Sequence, residues 1–149
     1  MKQITVLIAI FFTSIVIGQK IDYNQKKGLA LEGFDVVAYF DGGAKEGSSK
    51  YQYKHTNGLN YRFVSQKNLD TFKGNPKKYL PKYGGYCAYA MATAGKKVKP
   101  DPETYEIRGG ELFVFYNSWT NNTLKSWLAE SPEVLKPKAD ANWEKIKFK

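Results

Sequence analysis

Residues 83–95 read YGGYCAYAMATAG and hold Cys87, the only cysteine of the 149-residue chain. Gly84 and Gly85 disfavour helix, whereas the alanine-rich run from Tyr86 to Ala94 favours it and Gly95 stops it. A helix over 86–94 places Cys87 in its first turn. Amides there lack partners inside the helix and carry the positive end of its dipole, so they favour a thiolate over a thiol. The two glycines would let the backbone turn tightly and leave room for a ligand. Tyr83, Tyr86 and Tyr89 would shape the rim of a pocket. The chemistry expected of this arrangement is a one-cysteine redox cycle. The thiolate attacks a small peroxide or a disulfide and becomes a sulfenic acid or a mixed disulfide, and an external thiol restores it. The reductant must be external because the chain has no resolving cysteine. Gly85, Tyr86 and Cys87 amides would hold the thiolate, and Tyr83 or Tyr89 would bond the substrate oxygen.

Two other readings of the same residues stand beside this one. Met91 follows Cys87 by four positions and shares its helix face, and His55 is the only histidine. Cys87, with Met91 or His55, could take a soft, copper-type ion from a metal donor and pass it on. Alternatively, Cys87 is a packed core thiol beside small residues, and the tyrosine-rich surface binds a partner or small ligand. His55, beside an Asn-Gly turn, can equally be a surface histidine, and Met91 a core methionine. Asp35 reads as a cap or turn residue. No CxxC, CxxCH, HExxH or phosphate loop occurs, and no pair of carboxylates is placed for acid–base work. Asn121-Asn122-Thr123 matches a glycosylation acceptor, which matters only in a eukaryotic secretory route.

Elements to position these residues are legible along the chain. The segment 19–30 is polar and lysine-rich and reads as a flexible leader. DVVAYF (35–40) is a strand candidate, followed by a Gly/Ser-rich loop over 41–49. YQYKH (51–55) and LNYRFV (59–64) alternate around Asn57-Gly58 and predict a hairpin. Ser65 can cap a helix carrying Leu69 and Phe72 and ending near Gly74, and Pro76 suits the first turn of a short helix over 76–80. After the Cys87 helix, KKVKPDPE reads as a loop. TYEIR (104–108) and ELFVFYN (111–117) form a second hairpin about Gly109-Gly110. A helix over 122–130 places Leu124, Trp127 and Leu128 on one face, and a last helix over 137–148 turns Ala139, Trp143 and Ile146 inward. Strands, helices, strands, helices in that order predict a single α+β domain: a small antiparallel sheet of hairpins packed with short helices.

Bulk properties narrow the setting. Lys2 followed by an uncharged, mostly apolar run from Ile4 to Ile17 reads as a secretory signal peptide cleaved after Gly18. That run is shorter than the roughly 20 residues of a membrane-spanning helix, so no stable membrane anchor is expected. The product would be a soluble periplasmic or extracellular protein. The net charge of +9 could suit nucleic acid or an anionic surface. The lysines are scattered, however, and only Arg62 and Arg108 are arginines, which argues against a nucleic-acid partner.

GFDVVAYFDGG (33–43), the run from Asn57 to Ala92, GGELFVFYN (109–117) and KADANW (138–143) together resemble the exported YHS-domain proteins. The densest match is Tyr61, Phe63, Ser65, Phe72, Asn75-Pro76, Tyr79 and Gly84-Gly85-Tyr86-Cys87-Ala88. The resemblance implies a YHS-type domain over 31–149 with a C-terminal helical extension. The broader group, linked with heavy-metal handling, reads F-C-S-x-x-C where this chain has Phe63, Val64, Ser65, Gln66, Lys67 and Asn68. Both cysteine positions are lost, so that metal chemistry does not carry over. Some relatives in the exported branch carry selenocysteine at the position matching Cys87, which implies redox or soft-metal chemistry there.

Overall fold

A computed structural model describes residues 19–148, so the predicted signal peptide lies outside the described residues. The first predicted hairpin is present. Strand β3 (Ser48–Lys54) pairs antiparallel with β4 (Asn60–Phe63), with a register irregularity between Ser48 and Gln52. Alternation along β4 buries Tyr61 and Phe63 and leaves Asn60 and Arg62 half-buried. Ahead of them, β1 (Gln25–Lys26) and β2 (Leu29–Ala30) form a short antiparallel ladder, and β2 runs parallel to β4, giving the order β1-β2-β4-β3. The segment 19–30, expected to be a leader, is therefore part of the fold. Its backbone supplies the binding: the Asp22 amide bonds the Lys147 carbonyl and the Asn24 amide bonds the Gly84 carbonyl. Backbone pairing of this kind is invisible in a polar, lysine-rich composition.

DVVAYF is not a strand. Its end, Ala38–Phe40, is a 3-10 turn. The physical reason is Asp35: its Oδ1 accepts the amides of Val37 and Ala38 at 2.8 and 3.2 Å and so folds the chain back on itself. The expectation that Asp35 is a turn residue holds. Its second oxygen reaches further, accepting the Val64 amide at 2.9 Å and the Asn68 side-chain amide at 2.7 Å. The carboxylate is fully buried. Val64 and Asn68 thus both bond Asp35.

Ser65 caps α1 (Gln66–Gly74) through the Asn68 amide, and α2 (Pro76–Tyr79) begins on its proline. Helix α3 (Ala88–Ala94) ends on left-handed Gly95. The second hairpin is β5 (Asp101–Arg108) with β6 (Glu111–Phe115); β5 starts earlier than expected, taking in Asp101–Glu103, with an irregularity before Tyr105. A third, two-residue hairpin joins β7 (Asn117–Ser118) to β8 (Asn121–Asn122). Helix α4 (Thr123–Ala129) is capped by Asn122, and α5 (Pro132–Ile146) starts five residues before its predicted point because Pro132 suits its first turn. Leu128, expected inward, is exposed, while Trp127 beside it is fully buried. Among the described residues no helix is long and apolar enough to cross a membrane.

Strand β6 joins two cores. Leu112 and Val114 belong to a cluster with Val36, Phe63 and Phe72. Phe113 and Phe115 belong to another with Met91, Trp127 and Ala139. A period of two sends alternate side chains to opposite faces, and here both faces are covered, so all four are fully buried. The fold is α+β, with one mixed sheet and two small antiparallel ladders.

Candidate functional site

Ahead of α3 the chain makes a left-handed turn over Tyr83, Gly84 and Gly85, with φ of 52°, 62° and 81°. At Gly84 a Cβ would stand 2.8 Å from the Trp143 ring and 3.0 Å from the Asp22 carbonyl oxygen. The glycine is required by a close approach of α5 and the N-terminal segment. Trp143 thus takes the space directly over Gly84, and beside it Tyr83, Gly84 and Trp143 border an open recess of about 250 Å³.

Cys87 is the residue before α3 rather than a member of its first turn. Its own amide bonds the Val98 carbonyl at 2.9 Å, and the Tyr86 amide bonds the Tyr83 carbonyl at 3.1 Å. Neither amide faces the sulfur as an unoccupied donor. The Cys87 side chain is fully buried, with Sγ 3.3 Å from Thr123 Oγ1. Thr123 donates its single hydroxyl proton to the Tyr116 carbonyl at 2.8 Å, so the thiol is the donor to Thr123. A thiolate cannot donate, so at this place it would have to accept the Thr123 hydroxyl hydrogen bond, which would leave the Tyr116 carbonyl without it.

The three tyrosines diverge. The hydroxyl of Tyr83 donates to Asp140 at 3.0 Å, that of Tyr86 to Asp22 at 2.9 Å, and that of Tyr89 to Glu130 at 2.6 Å. Burial, then the Asp140 carboxylate, holds the Tyr83 phenol far above its ordinary range. Burial and the bond to Asp22 push Tyr86 up to about 12. For Tyr89 the bond to Glu130 is the main cause of a rise. Burial likewise raises Tyr39 strongly and Tyr61 to about 12. A phenol whose folded pKa exceeds its unfolded value near 10 adds stability below that pH, and the stability is lost as pH rises through the folded value. Tyr39, Tyr61, Tyr83 and Tyr86 are therefore expected to stay protonated at pH 10 while the fold is intact. They should ionise together with unfolding as pH approaches and passes about 12. Tyrosinate absorbance and circular dichroism check this; one transition near 10 for all eleven, with structure retained, would contradict it.

Met91 is fully buried in the second core. His55 sits at the β3–β4 turn with its ring against Tyr53, Tyr61 and Phe72, and its Nδ1 accepts the Asn57 amide at 3.2 Å. His55 shares none of these neighbours with Cys87, which meets Thr123, Val98 and Val114 and whose carbonyl accepts the Met91 amide at 3.0 Å. Among the described residues no group of three His, Cys, Asp or Glu side chains is placed to hold a metal ion.

What lies over Cys87 is a cleft of about 300 Å³ between α3 and the β7–β8 hairpin. Ala90, Ala94 and Val98 give it an apolar floor; Tyr89, Thr93, Tyr116, Asn121 and Thr123 complete it, and none of these is charged. Thr123 stands between the cleft and the sulfur. Of the residues singled out in the sequence only Tyr89 lines it. Thr123 and Asn121 were visible as part of a glycosylation triplet, but their chain-distant meeting with α3 had no local signal. A larger recess, about 440 Å³, lies between Lys20–Gln25 and the Asn57–Leu59 turn. None of the residues singled out for chemistry lines it, and we place the functional site in the cleft above Cys87.

Comparison with family models, with curated proteins and with solved structures finds no match.

Proposed function

We propose that this protein is a non-catalytic binding domain with a structural thiol, and that the cleft between α3 and the β7–β8 hairpin takes an uncharged ligand. The observation that carries the reading is the state of Cys87: fully buried, with its thiol donating into the Thr123–Tyr116 chain. A redox or soft-metal cysteine must reach its reactant, and here Thr123 separates sulfur from cleft. The cleft itself offers apolar methyl groups and ring faces with uncharged polar groups at the edge, which is the composition of a small-molecule site. An exported YHS-type domain remains the frame of this proposal.

Two measurements test it. Iodoacetamide is expected to alkylate Cys87 in the native protein at least about a hundredfold more slowly than in urea, because access to a fully buried sulfur requires opening of the structure. Rapid native alkylation would return the redox reading. For the cleft, 2-naphthol serves as an uncharged probe. It should shift the amide resonances of Ala90, Ala94 and Thr123, and Ala94→Phe, which fills the cleft, should abolish the shifts. Absence of any shift in the wild type would remove the cleft as the site.

A further inference from the structure

The geometry points to a neutral saccharide as the ligand of this surface, with Trp119 as its stacking platform; the inference rests on the cleft reading for its polar edge. Trp119 sits in the two-residue turn of the β7–β8 hairpin and is wholly exposed, at 105% of its reference area. An exposed indole face offers apolar area that a stacking ligand removes from water. No Asp, Glu, Lys or Arg occurs along the chain between Glu111 and Lys125, in a chain with a net charge of +9, and the charges bonded at its edge, Asp101 to Asn117 and Glu130 to Tyr89, are carboxylates. An acidic or anionic partner would therefore find its complement elsewhere on the molecule.

The polar groups at the tip are unoccupied. The side chains of Ser118, Thr120 and Asn121 and the Tyr116 hydroxyl have no partner among the described residues. Asn117 and Asn122, by contrast, are held, the first by Asp101 and Thr104 and the second as the cap of α4. Tyr116 and Asn121 line the cleft and flank Trp119 by three and two residues. An indole face is apolar and weakly negative, whereas the C–H face of a pyranose ring is apolar and weakly positive, so the two stack. Sugar hydroxyls both donate and accept, which amide and hydroxyl side chains satisfy without burying a charge.

The test titrates the mature chain with cellohexaose, maltohexaose and chitohexaose while reading tryptophan emission. Trp127 is fully buried and Trp143 packs on Gly84, so a blue shift on binding reports Trp119. At least one sugar should give that shift, with affinity falling about tenfold or more in Trp119→Ala and less in Asn121→Ala. Trp119→Ala should keep the wild-type melting temperature and its 2-naphthol response. No shift with any of the sugars, or equal affinity in Trp119→Ala, overturns the inference. So does a shift given by phosphatidylglycerol vesicles and by none of the sugars, which would make the tip a lipid contact. Loss of sugar binding with 2-naphthol binding retained separates this failure from failure of the cleft.

Discussion

Asp35→Ala is expected to lower the folding free energy by about 3–5 kcal/mol, a large fraction of the roughly 5–15 kcal/mol available to a domain. The carboxylate is fully buried and accepts three backbone amides and the Asn68 side chain, and it forms no ion pair among the described residues. Its removal leaves the Val37 and Val64 amides and Asn68 Nδ2 without their acceptor. Ala38 retains a bond to the Asp35 carbonyl at 3.1 Å. The four donors come from two separate stretches, the 35–40 turn and the β4–α1 junction, so the side chain also ties the first core together. Asp35→Asn keeps the shape but turns an NH2 toward other N–H groups, and should recover only part of the loss. Urea denaturation of both variants checks this. A loss below about 1 kcal/mol in Asp35→Ala would show that water replaces the carboxylate and that the cluster is not structural.

Gly84→Ala is expected to cost about 2–4 kcal/mol, combining the left-handed backbone with overpacking against Trp143 and the Asp22 carbonyl. The added methyl would stand 2.8 Å from the ring and 3.0 Å from the oxygen, so α5 or the N-terminal segment must shift. Gly109→Ala is the matched control. Its φ is +59° and nothing lies within 4 Å, so it should show the backbone cost alone, about 1 kcal/mol. In a Trp143→Leu background part of the Gly84→Ala cost should vanish, a coupling of about 1 kcal/mol or more between residues in contact. Additive effects would mean that the ring is not what excludes the methyl. If instead the pair of glycines existed to admit a ligand, Gly84→Ala would leave stability near that of Gly109→Ala and impair binding alone.

Thermodynamic weight in this protein therefore sits beside the residues that first attract notice rather than on them. Cys87 is held by Thr123, which is 36 residues away. Tyr83, Tyr86 and Tyr89, close in sequence, are drawn to Asp140, Asp22 and Glu130 on three different segments. Closeness in sequence suggested a shared rim, but the left-handed turn at Tyr83–Gly85 lies between the first ring and the other two. Asp35 was read as a local turn former, and it is one; its reach to Val64 and Asn68 needed the fold.

The features legible along the chain are local ones. The Asn57-Gly58 and Gly109-Gly110 turns, the Ser65 cap, the Pro76 start and the Gly95 stop are all present, because each depends on dihedral preferences and hydrogen bonds within a few residues. The α+β class follows from their order. Whether Cys87 meets solvent, where the amides before α3 go, and that Trp119 stands uncovered at a hairpin tip all depend on the assembled fold. Burial and hydrogen-bond partnership are settled by residues distant in the chain, and no period or spacing along one segment carries that information.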